Sequence, residues 1–137
     1  MLTTVLNASL VMLASTAINI DSALPNDKPQ FLHHEQAFIL SYDVTDENIV
    51  LSWDVAPGYY LYQNTIKVKD VPNSALTFTT SPTTTHDEYF GTTLILKEHA
   101  EAFFPKAALE QSHFSLTYRG CAEAGLCYPP VTVEITL

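Results

Sequence analysis

Cysteine is nearly absent: the 137 residues hold two, Cys121 and Cys127. With no second thiol pair and no His-x3-5-His set, the ligands of a structural zinc site are missing. The five histidines, His33, His34, His86, His99 and His113, are adjacent or scattered, and read as surface or packing residues. No methionine-rich segment suggests metal carriage, so neither metal nor bound cofactor is expected. Positive charge is scarce too. Six Lys and Arg stand against fifteen Asp and Glu, a net charge of −9, which excludes nucleic acid and anionic membrane as partners. Long apolar runs are also lacking. The mostly apolar stretch from Val5 to Ile18 is too short and too rich in threonine and serine for a membrane span, and no later segment is a candidate. Stable membrane insertion of the mature domain is therefore not expected.

The N-terminal stretch has no charge before Asp21. Ser15-Thr16-Ala17 supplies the small residues a signal peptidase reads, so residues 1–17 are expected to be a signal peptide cut after Ala17, although the usual basic n-region is missing. Residues 18–30 read as a leading arm, polar and carrying Pro25 and Pro29. The remainder, 31–137, is one domain of ordinary size.

Within that domain the pattern is β. Ala37 to Val44 and Ile49 to Val55 are rich in β-branched and aromatic residues and flank a polar turn at Asp46-Glu47-Asn48, the signature of a hairpin. Leu51, Trp53 and Val55 alternate with Ser52 and Asp54, which predicts one buried and one wet face. Pro57-Gly58 marks a turn before Tyr59-Tyr60-Leu61-Tyr62 and Ile66 to Lys69. Further strands are predicted at Leu76 to Thr79, Thr93 to Leu96, Phe114 to Tyr118 and Val131 to Leu137. Thr79 to Thr85 reads as a threonine-rich loop, and Glu98 to Phe104 as the one candidate helical turn, stopped by Pro105. Seven or eight short strands without a 3.6-residue period predict an all-β, immunoglobulin-like antiparallel sandwich.

Both cysteines fall in Arg119-Gly120-Cys121-Ala122-Glu123-Ala124-Gly125-Leu126-Cys127-Tyr128-Pro129-Pro130. Glycines before and between them and a diproline after suit a tight bend that brings the thiols within disulfide distance. Most such pairs in small exported domains are staples. A closed loop of about seven residues, however, stabilises by roughly 2 kcal/mol, against nearly 5 for one of about a hundred, which is poor value for holding two sheets together. A reversible disulfide and a structural one both remain open on spacing alone. An exported binding or adhesion module with a purely structural disulfide is the alternative reading.

The cysteine motif, Trp53-x4-Gly58-Tyr59-Tyr60-Leu61-Tyr62 and Asp87-Glu88-Tyr89-Phe90-Gly91 together resemble, in order and approximate spacing, the N-terminal periplasmic domain of the thiol:disulfide interchange protein DsbD family. The resemblance runs from about Phe31 to the end. It implies a periplasmic, immunoglobulin-like oxidoreductase module that relays reducing equivalents. The donor would be the thioredoxin-like domain of a membrane reductase, and the acceptor a thioredoxin-fold protein such as a disulfide isomerase or a cytochrome-maturation thioredoxin. It also implies that Cys127 forms the mixed disulfide, that Cys121 resolves it, and that Asp87, Glu88, Tyr89, Phe90 and Gly91 form a cap shielding the sulfurs. The aromatics here read Tyr89-Phe90, the reverse of the family's usual order. By strand alternation Tyr59 belongs with Leu61 in packing, leaving Tyr60 and Tyr62 as the neighbours of the site, with Glu123 and Tyr128 from the motif. Carboxylates of Asp87, Glu88 and Glu123 near a thiolate would raise its pKa. The family's membrane region and thioredoxin-like domain would follow beyond Leu137, in a longer parent chain or as a separate membrane protein.

Overall fold

A computed structural model describes residues 30–88 and 90–137. The expected signal peptide and all of the leading arm except Gln30 lie outside the described residues. After a single helical turn at His34–Ala37, the chain forms β1 (Phe38–Val44), β2 (Asn48–Val55), β3 (Tyr59–Tyr62), β4 (Lys67–Val68), β5 (Thr77–Phe78) and β6 (Thr83–Asp87). It continues with β7 (Gly91–Leu96), β8 (His99–Pro105), β9 (His113–Tyr118), β10 (Gly120–Ala122), β11 (Leu126–Cys127) and β12 (Val131–Thr136). These pair antiparallel in three sheets, ordered β1-β2-β8-β5, β11-β10-β3-β7-β6 and β12-β9-β4.

The second and third sheets share a corner. Chain segments β3-β4 and β9-β10 run side by side, and both change sheet where Tyr62 N–H donates to the Arg119 carbonyl at 3.0 Å and Arg119 N–H donates to Thr65 Oγ1 at 3.0 Å. This bent pair of sheets packs on the first as a sandwich of the immunoglobulin-like kind. The core between them is built by alternation: Leu51, Trp53 and Val55 of β2, Ala100, Ala102 and Phe104 of β8, and Phe114, Leu116 and Tyr118 of β9 are buried. Trp53 and Tyr118 meet edge to face with ring centroids 5.6 Å apart. Each large side chain so buried contributes roughly 1.5–3 kcal/mol.

Three expectations are corrected. Glu98 to Phe104 is not a helical turn; from His99 it is β8, because burial of every second residue satisfies a two-residue period, and Pro105 sits at the strand's end, where a missing donor costs least. The threonine-rich loop ends as β6 from Thr83, where β-branched side chains suit extended backbone. Gly120 makes no bend. It lies within β10, and a Cβ there would stand 2.3 Å from the Phe38 ring and 2.7 Å from the Tyr60 carbonyl oxygen. Its role is close approach of strands over Phe38. Gly125, at φ +113°, is the glycine that makes the turn between β10 and β11.

Candidate functional site

Cys121 and Cys127 face each other across the β10–β11 hairpin as register partners and are joined in a disulfide with S–S 2.09 Å. Strand alternation decides what surrounds them. On β10, Gly120 and Ala122 turn towards the main core and Cys121 turns away; on β11 and beyond, Leu126 and Tyr128 pack on the core and Cys127 does not. On β3, likewise, Tyr59 and Leu61 join the core, while Tyr60 and Tyr62 join the sulfurs. Ile95 of β7, the register partner of Tyr62, completes a small second cluster on the outer face of this sheet. The two sulfurs are not equivalent within it: Cys121 is 0 % exposed, and Cys127 is only partly buried.

Tyr62 is the centre of the cluster. Its hydroxyl lies 3.2 Å from Cys121 Sγ and 3.9 Å from Cys127 Sγ, and donates a short hydrogen bond to the Asp87 carboxylate. A disulfide sulfur carries no proton, so the hydroxyl proton goes to Asp87 and an oxygen lone pair is left towards Cys121. Burial, followed by the bond to Asp87 and the neighbouring Tyr60, pushes the Tyr62 phenol well above its ordinary value, so it stays protonated. Tyr60 meets Tyr62 edge to face at 5.4 Å.

Asp87 and Gly91 are the last paired residues of the β6–β7 hairpin, so the expected cap segment is the tip of a hairpin. Gly91 adopts φ +66°, the left-handed conformation that closes a three-residue hairpin loop. Asp87 Oδ1 accepts the Phe90 N–H at 2.7 Å, and the Phe90 ring lies 4.5 Å from that of Tyr62. Phe90 nonetheless remains 43 % exposed. Glu88 is exposed, and Tyr89 lies outside the described residues. Glu123 forms an exposed ion pair with Lys97, N to O 2.6 Å. Among the described residues no group of three or more His, Cys, Asp or Glu converges as metal ligands.

The family model for the N-terminal region of thiol:disulfide interchange protein DsbD matches residues 28–137. The chain belongs to this family. DsbD of Yersinia pestis is 41 % identical over 123 residues, covering 87 % of this chain and 20 % of that protein. The chain thus spans about a fifth of the length of the curated relatives it matches. The DsbD N-terminal domain of Neisseria meningitidis in its reduced form superposes with a TM-score of 0.67 at 32 % identity, covering 88 % of this chain and 93 % of that one. The same organism's DsbD N-terminal domain in complex with the PilB N-terminal domain gives 0.63 at 36 % identity, covering 79 % and 88 %.

Within this DsbD N-terminal domain the structure brings Tyr60, Tyr62, Asp87 and Phe90 to the disulfide and its surroundings, and directs Tyr128 elsewhere. The Tyr128 ring packs on Phe38 at 5.6 Å and Tyr59 at 6.3 Å, and its hydroxyl donates to the Leu32 carbonyl. Burial and the neighbouring Tyr59 push its pKa up to about 12. Alternation from Cys127 carries this information, since adjacent strand residues face opposite ways. Ile95, Thr65 and Arg119 escaped the sequence reading. Arg119 lies between β9 and β10, two residues before Cys121, and its guanidinium carbon lies 5.7 Å from the centroid of Phe90.

Proposed function

We propose that this domain is a periplasmic thiol:disulfide exchange module. It receives two electrons from a thioredoxin-like domain of a membrane reductase and passes them to an oxidised thioredoxin-fold protein, a disulfide isomerase or a cytochrome-maturation thioredoxin, acting as a protein-disulfide reductase. In the forward half-reaction the Cys127 thiolate attacks the acceptor's disulfide, forming a mixed disulfide and expelling one acceptor thiolate. Cys121 then attacks Cys127 Sγ, closing the intramolecular disulfide and releasing the acceptor as a dithiol. Two electrons and two protons leave with the acceptor.

The observation that carries this reading is the asymmetry of the sulfurs: a disulfide set outside the main core, with Cys121 fully buried and Cys127 within reach. Attack needs access to one sulfur and shelter for the other. Further support comes from the Neisseria meningitidis relatives, one of which was solved in the reduced form and another in complex with a PilB domain. The acceptor lone pair of Tyr62, 3.2 Å from Cys121 Sγ, suits the thiol that reduction creates: Cys121 S–H would donate to Tyr62, which already donates to Asp87. Phe90 and the hairpin tip would shield the sulfurs from small reagents until a partner displaces them. The sequence's leader-like 1–17 and the domain beginning near residue 31 fit export to that compartment.

The test is trapping. Cys121→Ser should leave Cys127 able to capture a thioredoxin-fold partner as a mixed disulfide; capture through Cys121 in Cys127→Ser alone would reverse the roles. Equilibration in glutathione or dithiothreitol buffers should place the couple near its partners' potentials. A potential below about −300 mV would mark a structural staple and overturn the relay.

A further inference from the structure

Arg119 occupies the sheet corner with its backbone pinned on both sides, its N–H on Thr65 Oγ1 at 3.0 Å and its carbonyl accepting from Tyr62 N–H at 3.0 Å. The side chain is held too. Arg119 Nε donates to the Tyr128 carbonyl at 3.0 Å, which anchors the guanidinium beside the residue that follows Cys127. From there the guanidinium carbon stands 5.7 Å from the Phe90 centroid, on a ring that also meets Tyr62 at 4.5 Å. Phe90 is therefore gripped by its backbone through Asp87 and by its ring through Tyr62 and Arg119. No carboxylate pairs with Arg119 among the described residues, so its nearest use is this ring.

We propose that Arg119 is a positioning residue that latches the β6–β7 hairpin tip over the disulfide through Phe90. This rests on the reading of that tip as a cap. The fork of a guanidinium suits the task, because one edge can hold a carbonyl while the plane meets an aromatic ring, which an ammonium cannot do with one fixed geometry. The same group touches the backbone just after Cys127, so a partner that shifts Tyr128 to engage Cys127 also loosens the latch. Opening of the cap and exposure of the reactive sulfur become one event.

A latch and a direct electrostatic role predict opposite signs. If Arg119 acted on the sulfurs by its charge, it would attract an anionic thiolate reagent and stabilise the departing cysteine thiolate, so removing it would slow reduction. If it holds the cap, removing it raises the open population, and a partly exposed cation–π contact corresponds to roughly a two- to five-fold change. The experiment is reduction of the oxidised chain by dithiothreitol, timed by quenching and alkylation. Arg119→Gln should accelerate it about two- to five-fold, Phe90→Leu should accelerate it likewise, and the double variant should be no faster than Phe90→Leu alone. Unchanged or slower reduction in Arg119→Gln, or the same acceleration added on top of Phe90→Leu, would overturn the latch. Should Arg119→Gln fail to fold by circular dichroism, Arg119→Met keeps the unbranched stem and carries the same expectations. No protein partner is involved, so acceleration here with failed trapping of partners would sink the relay and leave the latch standing.

Discussion

Gly120 and Asp87 show how much of the site rests on single side chains. At Gly120 a methyl group would collide with the Phe38 ring and with the Tyr60 carbonyl, both within 3 Å of the ideal Cβ. Neither can give easily, because Phe38 is buried and Tyr60 is the register partner of Cys121. Gly120→Ala should therefore lower stability by about 1–3 kcal/mol, the usual range for overpacking, read as a drop in denaturant midpoint. Asp87 is expected to act through charge. It sits one hydroxyl away from Cys121, and a negative charge at that distance disfavours a thiolate. In Asp87→Asn, which keeps an oxygen to accept the Phe90 N–H, the rate–pH profile of the reduced protein with a small disulfide should move to lower pH by roughly one unit. A profile that stays in place would mean that the carboxylate does not influence the thiols.

Among the elements, the β6–β7 hairpin differs from the rest in what supports it. β6 is an edge strand paired only with β7, and its residues are mostly exposed, whereas β2 lies between β1 and β8 and buries every second side chain. Local opening should therefore cost far less in the hairpin. In hydrogen exchange the β6 amides should exchange well ahead of those of β2. Gly91→Ala meets no atom within 4 Å, yet forces a side chain into φ +66°, a backbone cost of roughly 1–2 kcal/mol. It should speed exchange at the hairpin tip and leave β2 unchanged; an equal effect on β2 would show that the hairpin does not open by itself. β1 and β2 were legible in the sequence because β-branched and aromatic residues flank a polar turn. β6 and β8 were not, for threonine-rich stretches occur in loops as well, and Glu98 to Phe104 offers apolar residues at spacings that fit either period. Pairing with β7 and with β2 resolved each.

At the scale of the molecule, the main core and the disulfide are housed in different clusters. The main core around Trp53 does not include the sulfurs, and a loop this short adds only about 2 kcal/mol by constraining the unfolded chain. Reduction should thus lower the melting temperature modestly while the far-ultraviolet circular dichroism stays that of the folded sandwich; global unfolding on reduction would contradict this separation. Alkaline pH acts on the whole fold. The Tyr128 phenol is raised from 10.0 to about 12 in the folded state, so the folded protein keeps a proton that the unfolded chain loses above 10. Its contribution is fully present below pH 10 and is lost as pH rises towards 12, with Tyr62 adding in the same direction. Denaturant midpoints should be flat through neutral pH with respect to these tyrosines and fall from about pH 10 upward.

The sequence by itself determined the all-β class, the first hairpin, the pairing of the only two cysteines and the family. These follow from composition, two-residue alternation and three short motifs in a set order, all of them readable along the chain. Which sulfur is buried, how Asp87 reaches the disulfide through Tyr62, and the grip of Arg119 on Phe90 were decided only by the tertiary structure. Each depends on strands far apart in the chain meeting at one sheet corner, and their register, set by packing of the whole sandwich, chooses which side chains share a face.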